Sequence, residues 1–266
     1  MTSVEKLHIA NAFKFELGKL EDSGVQQRVI DNILLHVDYS LASDVAQFLG
    51  AKVPESVPYP NKGASSKFLS QVESIYSTAN PTCATRKVGV LLADGYDHTT
   101  LQSVQATMKA QNSLTLMIAP HKTNIKSSSG SEYINADFTY HTSRSIMFDA
   151  LIVLTGNEQY SNTLKSMGIV GNFINEAYAH NKVIGAIGSG VDVVKSFATG
   201  WSGVVYATDN NTINSHGVIT TLDYSSGIVK NAAAAVGVNT GSFDTEYVNT
   251  LKFHRVWDRD VSRVPA

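Results

Sequence analysis

The chain is poor in cysteine, in charge of one sign and in long apolar runs. Cys83 is its one cysteine in 266 residues, which excludes an internal disulfide framework and any zinc or iron–sulfur site built on several thiolates. Lys and Arg number 21 against 23 Asp and Glu, a net charge of −2. Without a basic excess, general nucleic-acid binding has no electrostatic footing. No apolar run reaches the roughly 18–20 residues that cross a bilayer. The start, Met1-Thr2-Ser3-Val4-Glu5, has neither the basic nor the apolar region of a signal peptide. The expected partners therefore include neither nucleic acid nor membrane. The eight histidines form no H-x-x-x-H or H-x-H pair, so no metal-ligand spacing is present. One Asn-x-Thr sequon, Asn210-Asn211-Thr212, is too short a signal to assign a compartment.

What is present, 43% hydrophobic and 17% charged residues, describes a folded globular protein. Residues 1–50 read as helices. Val25, Val29 and Ile33 repeat every four residues with Ile30, Leu34 and Val37 beside them, behind a capping Asp22 or Ser23. A second stretch starts near Asp38-Tyr39-Ser40, carries Leu41, Val45, Phe48 and Leu49, and stops at Gly50. So few short helices are not expected to bury such stripes among themselves, but to pack on another part of the chain or on a partner. Residues 51–86 hold four of the six prolines and read as a linker, with one helix where Phe68, Leu69, Val72, Ile75 and Tyr76 share a face. Cys83 falls in the polar tail of that linker and is expected to be an unreactive thiol, despite Arg86 and Lys87 close by.

From Lys87 to the end, strands and helices alternate. Val88–Leu92, Leu114–Ile118, Ala150–Leu154 and Lys182–Ile187 are short, almost wholly apolar runs, the mark of strands buried on both faces. Between them lie a helix from about His98 to Gln111, with Leu101, Val104 and Met108 inward, and small β pieces at 125–126, 133–134 and 138–139. A glycine-rich turn follows the fourth run, and the end is helical again, with Tyr247, Leu251, His254 and Arg255 leading to Trp257. This pattern implies an α/β, doubly wound, mostly parallel sheet of flavodoxin type with helices on both faces.

In such sheets the ligands and catalytic groups lie beyond the carboxyl ends of the strands. That rim carries Asp94-Gly95-Tyr96-Asp97-His98, Thr155-Gly156-Asn157 and Gly188-Ser189-Gly190. Two readings compete there. In one, Ser189 is a nucleophile at a strand-to-helix turn with His98 as base and Asp94 or Asp97 orienting it. In the other, Asp97 caps a helix and the glycines only turn the chain. A nucleophile elbow wants glycines two before and two after the serine, where Ile187 and Val191 stand. The glycines could also hold a phosphate or flavin, but the third glycine and ribose-binding acid of a dinucleotide fingerprint are missing.

Two segments, Gly24-Val25-Gln26-Gln27-Arg28-Val29-Ile30-Asp31-Asn32 and His254-Arg255-Val256-Trp257 with the final Val264-Pro265-Ala266, carry a family resemblance. With Arg86–Asp97 they resemble the C-terminal part of a large-subunit haem catalase of fungal type. The resemblance covers nearly the whole chain. It implies that residues 1–50 are the last helices of a catalase core, 51–86 a linker and 87–266 an appended flavodoxin-like domain. That domain is in turn similar to the PfpI-type, glutamine-amidotransferase-like superfamily, whose active members place a Cys at the turn after the fourth strand. Here Gly188 takes that place, before Ser189; the position of their paired Glu holds Thr100; Gly156 and Asn157 match their oxyanion loop only in part.

The resemblance therefore implies a degenerate site and no enzyme activity in this chain. Haem, and the dismutation of hydrogen peroxide, would belong to the parent; no Arg-x-x-x-Tyr haem-ligand element occurs here. The implied role is a stabilising accessory domain of a homotetrameric catalase, partnered by the catalase core and acting as a holdase chaperone on unfolding clients. The alternative is a small-molecule-binding or hydrolase-like module that uses the rim around Ser189.

Overall fold

The computed structural model describes residues 2–56, 81–224 and 242–265. The chain divides into two units, Met1–Ala79 and Asn80–Ala266. The helix expected around Phe68–Tyr76 lies outside the described residues.

In the first unit, α1 (Ser3–Leu17) begins with a capping box in which Thr2 and Glu5 satisfy each other's backbone N–H groups. Asp22 caps α2 (Ser23–Val29), which runs through a π turn at Ile30–Leu34 into the short α3 (Leu35–Val37). Asp38 caps α4 (Tyr39–Leu49), and Gly50 ends it in the left-handed region that glycine favours. Lys6 and Asp38 pair at 2.6 Å, Lys14 and Asp44 at 2.8 Å, tying α1 to the start and middle of α4.

The expectation that these helices could not bury their stripes among themselves is corrected here. Ala10, Leu17, Ile30, Leu34, Leu41, Ala42, Val45 and Ala46 form a buried cluster of their own. The inward face also differs from the four-residue repeat. Ile30 and Leu34 are buried, while Ile33 and Val37 are about half exposed at 51% and 48%. The π turn accounts for this, because its wider winding changes which positions face the neighbouring helices.

The second unit is a seven-stranded sheet with a small hairpin beside it. In chain order its strands and helices are β1 (Lys87–Leu91), α5 (His98–Ala110), β2 (Leu114–Ala119), β3 (Ile125–Lys126), β4 (Tyr133–Ile134), β5 (Phe138–Thr139), β6 (Ala150–Val153), α6 (Glu158–Ser166), α7 (Gly168–Ala179), β7 (Val183–Ile187), α8 (Ser189–Phe197), β8 (Ile213–Ser215), β9 (Val218–Thr221) and α9 (Phe243–Leu251). The sheet order is β5-β2-β1-β6-β7-β9-β8. Every pairing in it is parallel except β8 against β9. This is the flavodoxin-like, α/β architecture. Helix α5 packs with α9, while α6, α7 and α8 pack with one another. Leu101, Val104 and Met108 of α5 face inward as their spacing predicts.

The four apolar runs became β1, β2, β6 and β7. The β8–β9 hairpin was not anticipated, since its strands are only three and four residues long. Cys83 is corrected as well. It is not in a polar tail but in the core of this unit, 1% exposed, with its thiol donating to Val248 O at 3.4 Å. Burial pushes the thiol's pKa up, with Lys252 and Arg86 only partly opposing it.

The last helix ends at Leu251, short of the expected His254 and Arg255, because His254 takes a positive φ of 65° that no helix continues through. From there the chain crosses the amino ends of the strands. His254 Nε2 meets Asp149 Oδ1 at 2.9 Å, and Val256 N–H donates to Asn181 O at 2.8 Å. Arg259 is buried and donates to His216 O, Lys182 O and Tyr178 O at 2.6, 2.7 and 3.2 Å. Its guanidinium also lies 4.5 Å from the Tyr178 ring centre, and Trp201 stacks on that same ring at 3.9 Å.

Burial alone would raise the Asp149 pKa. The hydrogen bonds from His254 and the Lys87 N–H, with nearby positive charge, outweigh burial and hold its carboxyl at about 2. A carboxyl lowered on folding stabilises the fold above its unfolded pKa, and that contribution fades as the pH falls from about 4 to about 2. Asp149→Asn should therefore cost about 2 kcal/mol at neutral pH, and the difference from wild type should vanish near pH 2. Urea titrations at stepped pH measure this; a pH-independent difference would refute it.

Candidate functional site

The sheet reverses its winding between β1 and β6, so the loops that leave these adjacent strands face each other at the switch point. They are joined backbone to backbone. Asn157 N–H donates to Gly95 O at 2.9 Å, and Asp97 N–H to Thr155 O at 3.0 Å. Gly95 N–H reaches Lys126 O at 2.8 Å. So close an approach requires glycine. A Cβ on Gly95 (φ 91°) would lie 2.1 Å from Asn157 Oδ1, and one on Gly156 would lie 2.6 Å from Gly95 O.

The rim's polar side chains are spent on the same closure. Asp97 accepts from Thr100 N–H at 2.7 Å and so caps α5, which is the plainer of the two readings of that residue. Thr100 itself is buried in the first turn. Asn157 caps α6 by accepting from Tyr160 N–H at 3.1 Å. Asp94 accepts from Lys126 N–H at 2.9 Å. Tyr160 is buried, and its hydroxyl donates to Leu91 O at 2.8 Å while accepting from Leu154 N–H at 3.1 Å. Tyr140 does the same for Leu92 O at 2.9 Å. Burial pushes both phenols far above their ordinary pKa, so they act as fixed donors to strand ends where the ladder stops.

At the turn after β7, Gly188 has φ 54° and ψ −122°, a conformation close to glycine's alone. The backbone bend of an elbow is present, but its side-chain space is not. A Cβ on Gly188 would lie 2.4 Å from Thr155 Oγ1 and 2.7 Å from Thr155 Cβ. Ser189 Oγ accepts from Gly156 N–H at 3.0 Å and donates to Gly156 O at 3.0 Å. Ser189 N–H points to Thr155 Oγ1 at 3.5 Å. In an acyl-transfer site, backbone N–H groups so placed would hold a developing oxyanion. Here two hydroxyls already fill them.

The Ser189–His98–Asp arrangement, one of the two readings of the rim, is not assembled by these hydrogen bonds. His98 Nδ1 bonds the Tyr96 hydroxyl at 3.1 Å, no hydrogen bond among the described residues joins it to Ser189, and Asp94 and Asp97 serve backbone N–H groups. A polar group that sequence reasoning passed over is Glu132. Hydrogen bonds from Ser127, Ser129 and Ser131 bring its pKa down to about 2. Ser128 N–H then donates to Tyr96 O at 2.9 Å, which steadies the loop after β1. The every-second-residue serines before Glu132 were the available signal. Among the described residues no group of three or more His, Cys, Asp or Glu could hold a metal ion.

A family model for the C-terminal domain found in long catalases matches residues 84–260. The chain is 32% identical to Catalase-1 of Neurospora crassa over 98% of its length and 34% of that protein's. It is also 32% identical to Catalase HPII of Mycobacterium avium over 100% of its length and 35% of that protein's. With Catalase-2 of Bacillus subtilis the identity is 30%, over 98% of this chain and 33% of the other. The chain thus spans about a third of the length of the curated relatives it matches.

Because the space above Gly188 is held by Thr155, substitutions at the two positions should be coupled. Gly188→Ala should cost more than about 2 kcal/mol, combining positive φ with overpacking. Adding Thr155→Gly should return at least about 1 kcal/mol of it, a coupling that a double-mutant cycle of denaturation midpoints reads directly. Strict additivity would show that Thr155 does not fill the elbow.

Proposed function

The chain belongs to the family of C-terminal domains found in long catalases, and from that premise we propose that it is a non-haem accessory domain that stabilises its parent enzyme. The observation that carries this reading is the filled elbow: Thr155 occupies the volume a nucleophile would need at Gly188, and the Ser189 hydroxyl is bonded on both sides to Gly156. The chain is on this reading not itself an enzyme, and peroxide dismutation belongs to the parent. Haem, on this reading, belongs to the parent as well. Among the buried tyrosines, Tyr140, Tyr160 and Tyr247 donate their hydroxyls to strand carbonyls, so these three are not presented as iron ligands. The partners on this reading are the catalase core and the other subunits of a homotetramer.

The 266-residue chain acts, in this proposal, as a holdase for unfolding proteins. Support comes from the helical unit, where Leu7, Phe15 and Phe48 are 52%, 66% and 62% exposed. A holdase would engage its client through exposed apolar surface of this kind where it is contiguous. No observation favours the alternative module built around Ser189.

Two measurements test the two parts separately. A parent catalase lacking the segment matched by residues 84–260 should lose activity on heating several-fold faster than the complete enzyme; equal half-lives would remove the stabilising role. The 266-residue chain, added at equimolar ratio to a heat-denaturing client enzyme, should delay light scattering. Unchanged aggregation would remove the chaperone role and leave the first part standing.

A further inference from the structure

Asn210-Asn211-Thr212 is left unused by everything above. It is the chain's one Asn-x-Thr/Ser sequon without a blocking proline; Asn80-Pro81-Thr82 carries one. The sequon lies in the exposed stretch between Ala207 and the edge strand β8. Its two asparagines are treated differently. Asn211 is tied back to Asp209, its N–H at 2.8 Å and its side-chain amide at 3.1 Å. Asn210 is exposed, and its side-chain amide makes no hydrogen bond among the described residues.

Thr212 supplies an independent observation. Its Oγ1 is shut off from solvent and has no hydrogen-bond partner among the described residues. A hydroxyl buried that way loses its water and gains nothing in return. Valine would fill the same space, and no contact among the described residues gives a reason for the oxygen. A sequon does, because the acceptor asparagine is recognised together with the hydroxyl two residues on.

We propose that Asn210 is an N-glycan acceptor wherever the chain is made in a compartment that holds an oligosaccharyltransferase. In the step, the Asn210 side-chain nitrogen attacks C1 of the first sugar of a lipid-pyrophosphate-linked oligosaccharide. The N–C1 bond forms, the C1–O bond to the pyrophosphate breaks, the lipid pyrophosphate leaves, and the amide nitrogen gives up one proton. Since the folded chain closes over the Thr212 hydroxyl, transfer precedes folding of this stretch. The glycan then stands next to β8 and to Val205, which is 59% exposed, and it shields that edge of the sheet from other strands.

The test is secretion of the 266-residue chain from yeast behind a cleavable leader. Peptide N-glycosidase treatment in ¹⁸O water should lower its mass and leave a labelled aspartate at position 210. Asn210→Gln should remove the shift, Thr212→Ser should retain it, and Thr212→Val should remove it while keeping a Tm equal to or above that of the deglycosylated wild type. Unmodified wild-type chain would overturn the proposal, and so would a lower Tm for Thr212→Val, which would give the hydroxyl a use in the fold. In vitro, a peptide of residues 207–215 should accept the oligosaccharide and the purified folded chain should not. A silent peptide would overturn the acceptor claim, and transfer to the folded chain would overturn the order of events.

Discussion

The backbone contact between the loops leaving β1 and β6 is the constraint on which the rest of the α/β unit depends. Parallel winding that reverses between these strands always leaves a crevice at their carboxyl ends. Here it is closed by Asn157 N–H to Gly95 O and Asp97 N–H to Thr155 O. Closure at that distance rules out a Cβ at both Gly95 and Gly156. It also sets the entry angles of α5 and α6, so that Asp97 and Asn157 become caps. The same contact positions Thr155, whose side chain then fills the space above Gly188. On the proposed reading, this crevice is part of the packing.

The elbow shows how such a conversion is accommodated. Positive φ at a residue with a side chain costs of order 1–3 kcal/mol, an expense justified where strain aims a reactive group. With glycine at 188 the bend carries no such cost. Thr155 Oγ1 faces the Ser189 N–H of the turn, and Ser189 Oγ in return accepts from the Gly156 N–H of the loop after β6. The two loops thus answer each other's polar groups, which agrees with the proposed accessory role.

Much of this was legible in the sequence, for identifiable reasons. Buried parallel strands must be apolar on both faces, so β1, β2, β6 and β7 announce themselves; α5 does so through Leu101, Val104 and Met108. Asp97 was readable as a cap because capping is local. The rest depends on register between distant segments. Nothing near Thr155 says that it will face Gly188, which is 33 residues on, and nothing near Cys83 says that it will donate to Val248. Strands as short as β8 and β9 carry too few residues for a period to show, and a π turn rotates a helical stripe without leaving a mark in the pattern.

The amino end of the sheet is held by the opposite means, through buried charge. Burial lowers the Lys182 pKa to about 8, with Arg255 adding to the effect, and burial lowers that of Arg259 to about 10. Both cations are therefore less stable there than in water, and replacing such groups with apolar side chains often stabilises a protein. What they provide is direction. The Lys182 ammonium reaches Ser145 O at 2.7 Å, ahead of β6, while Arg259 gathers the carbonyls of Tyr178, Lys182 and His216 from around β7 and β9. Apolar packing alone would let the segment after α9 slide along the strand ends. A guanidinium with fixed donor geometry allows one position. The two ends of the sheet are thus fixed by different physics, close backbone approach at one and directional charge at the other, and both leave the domain with a defined surface.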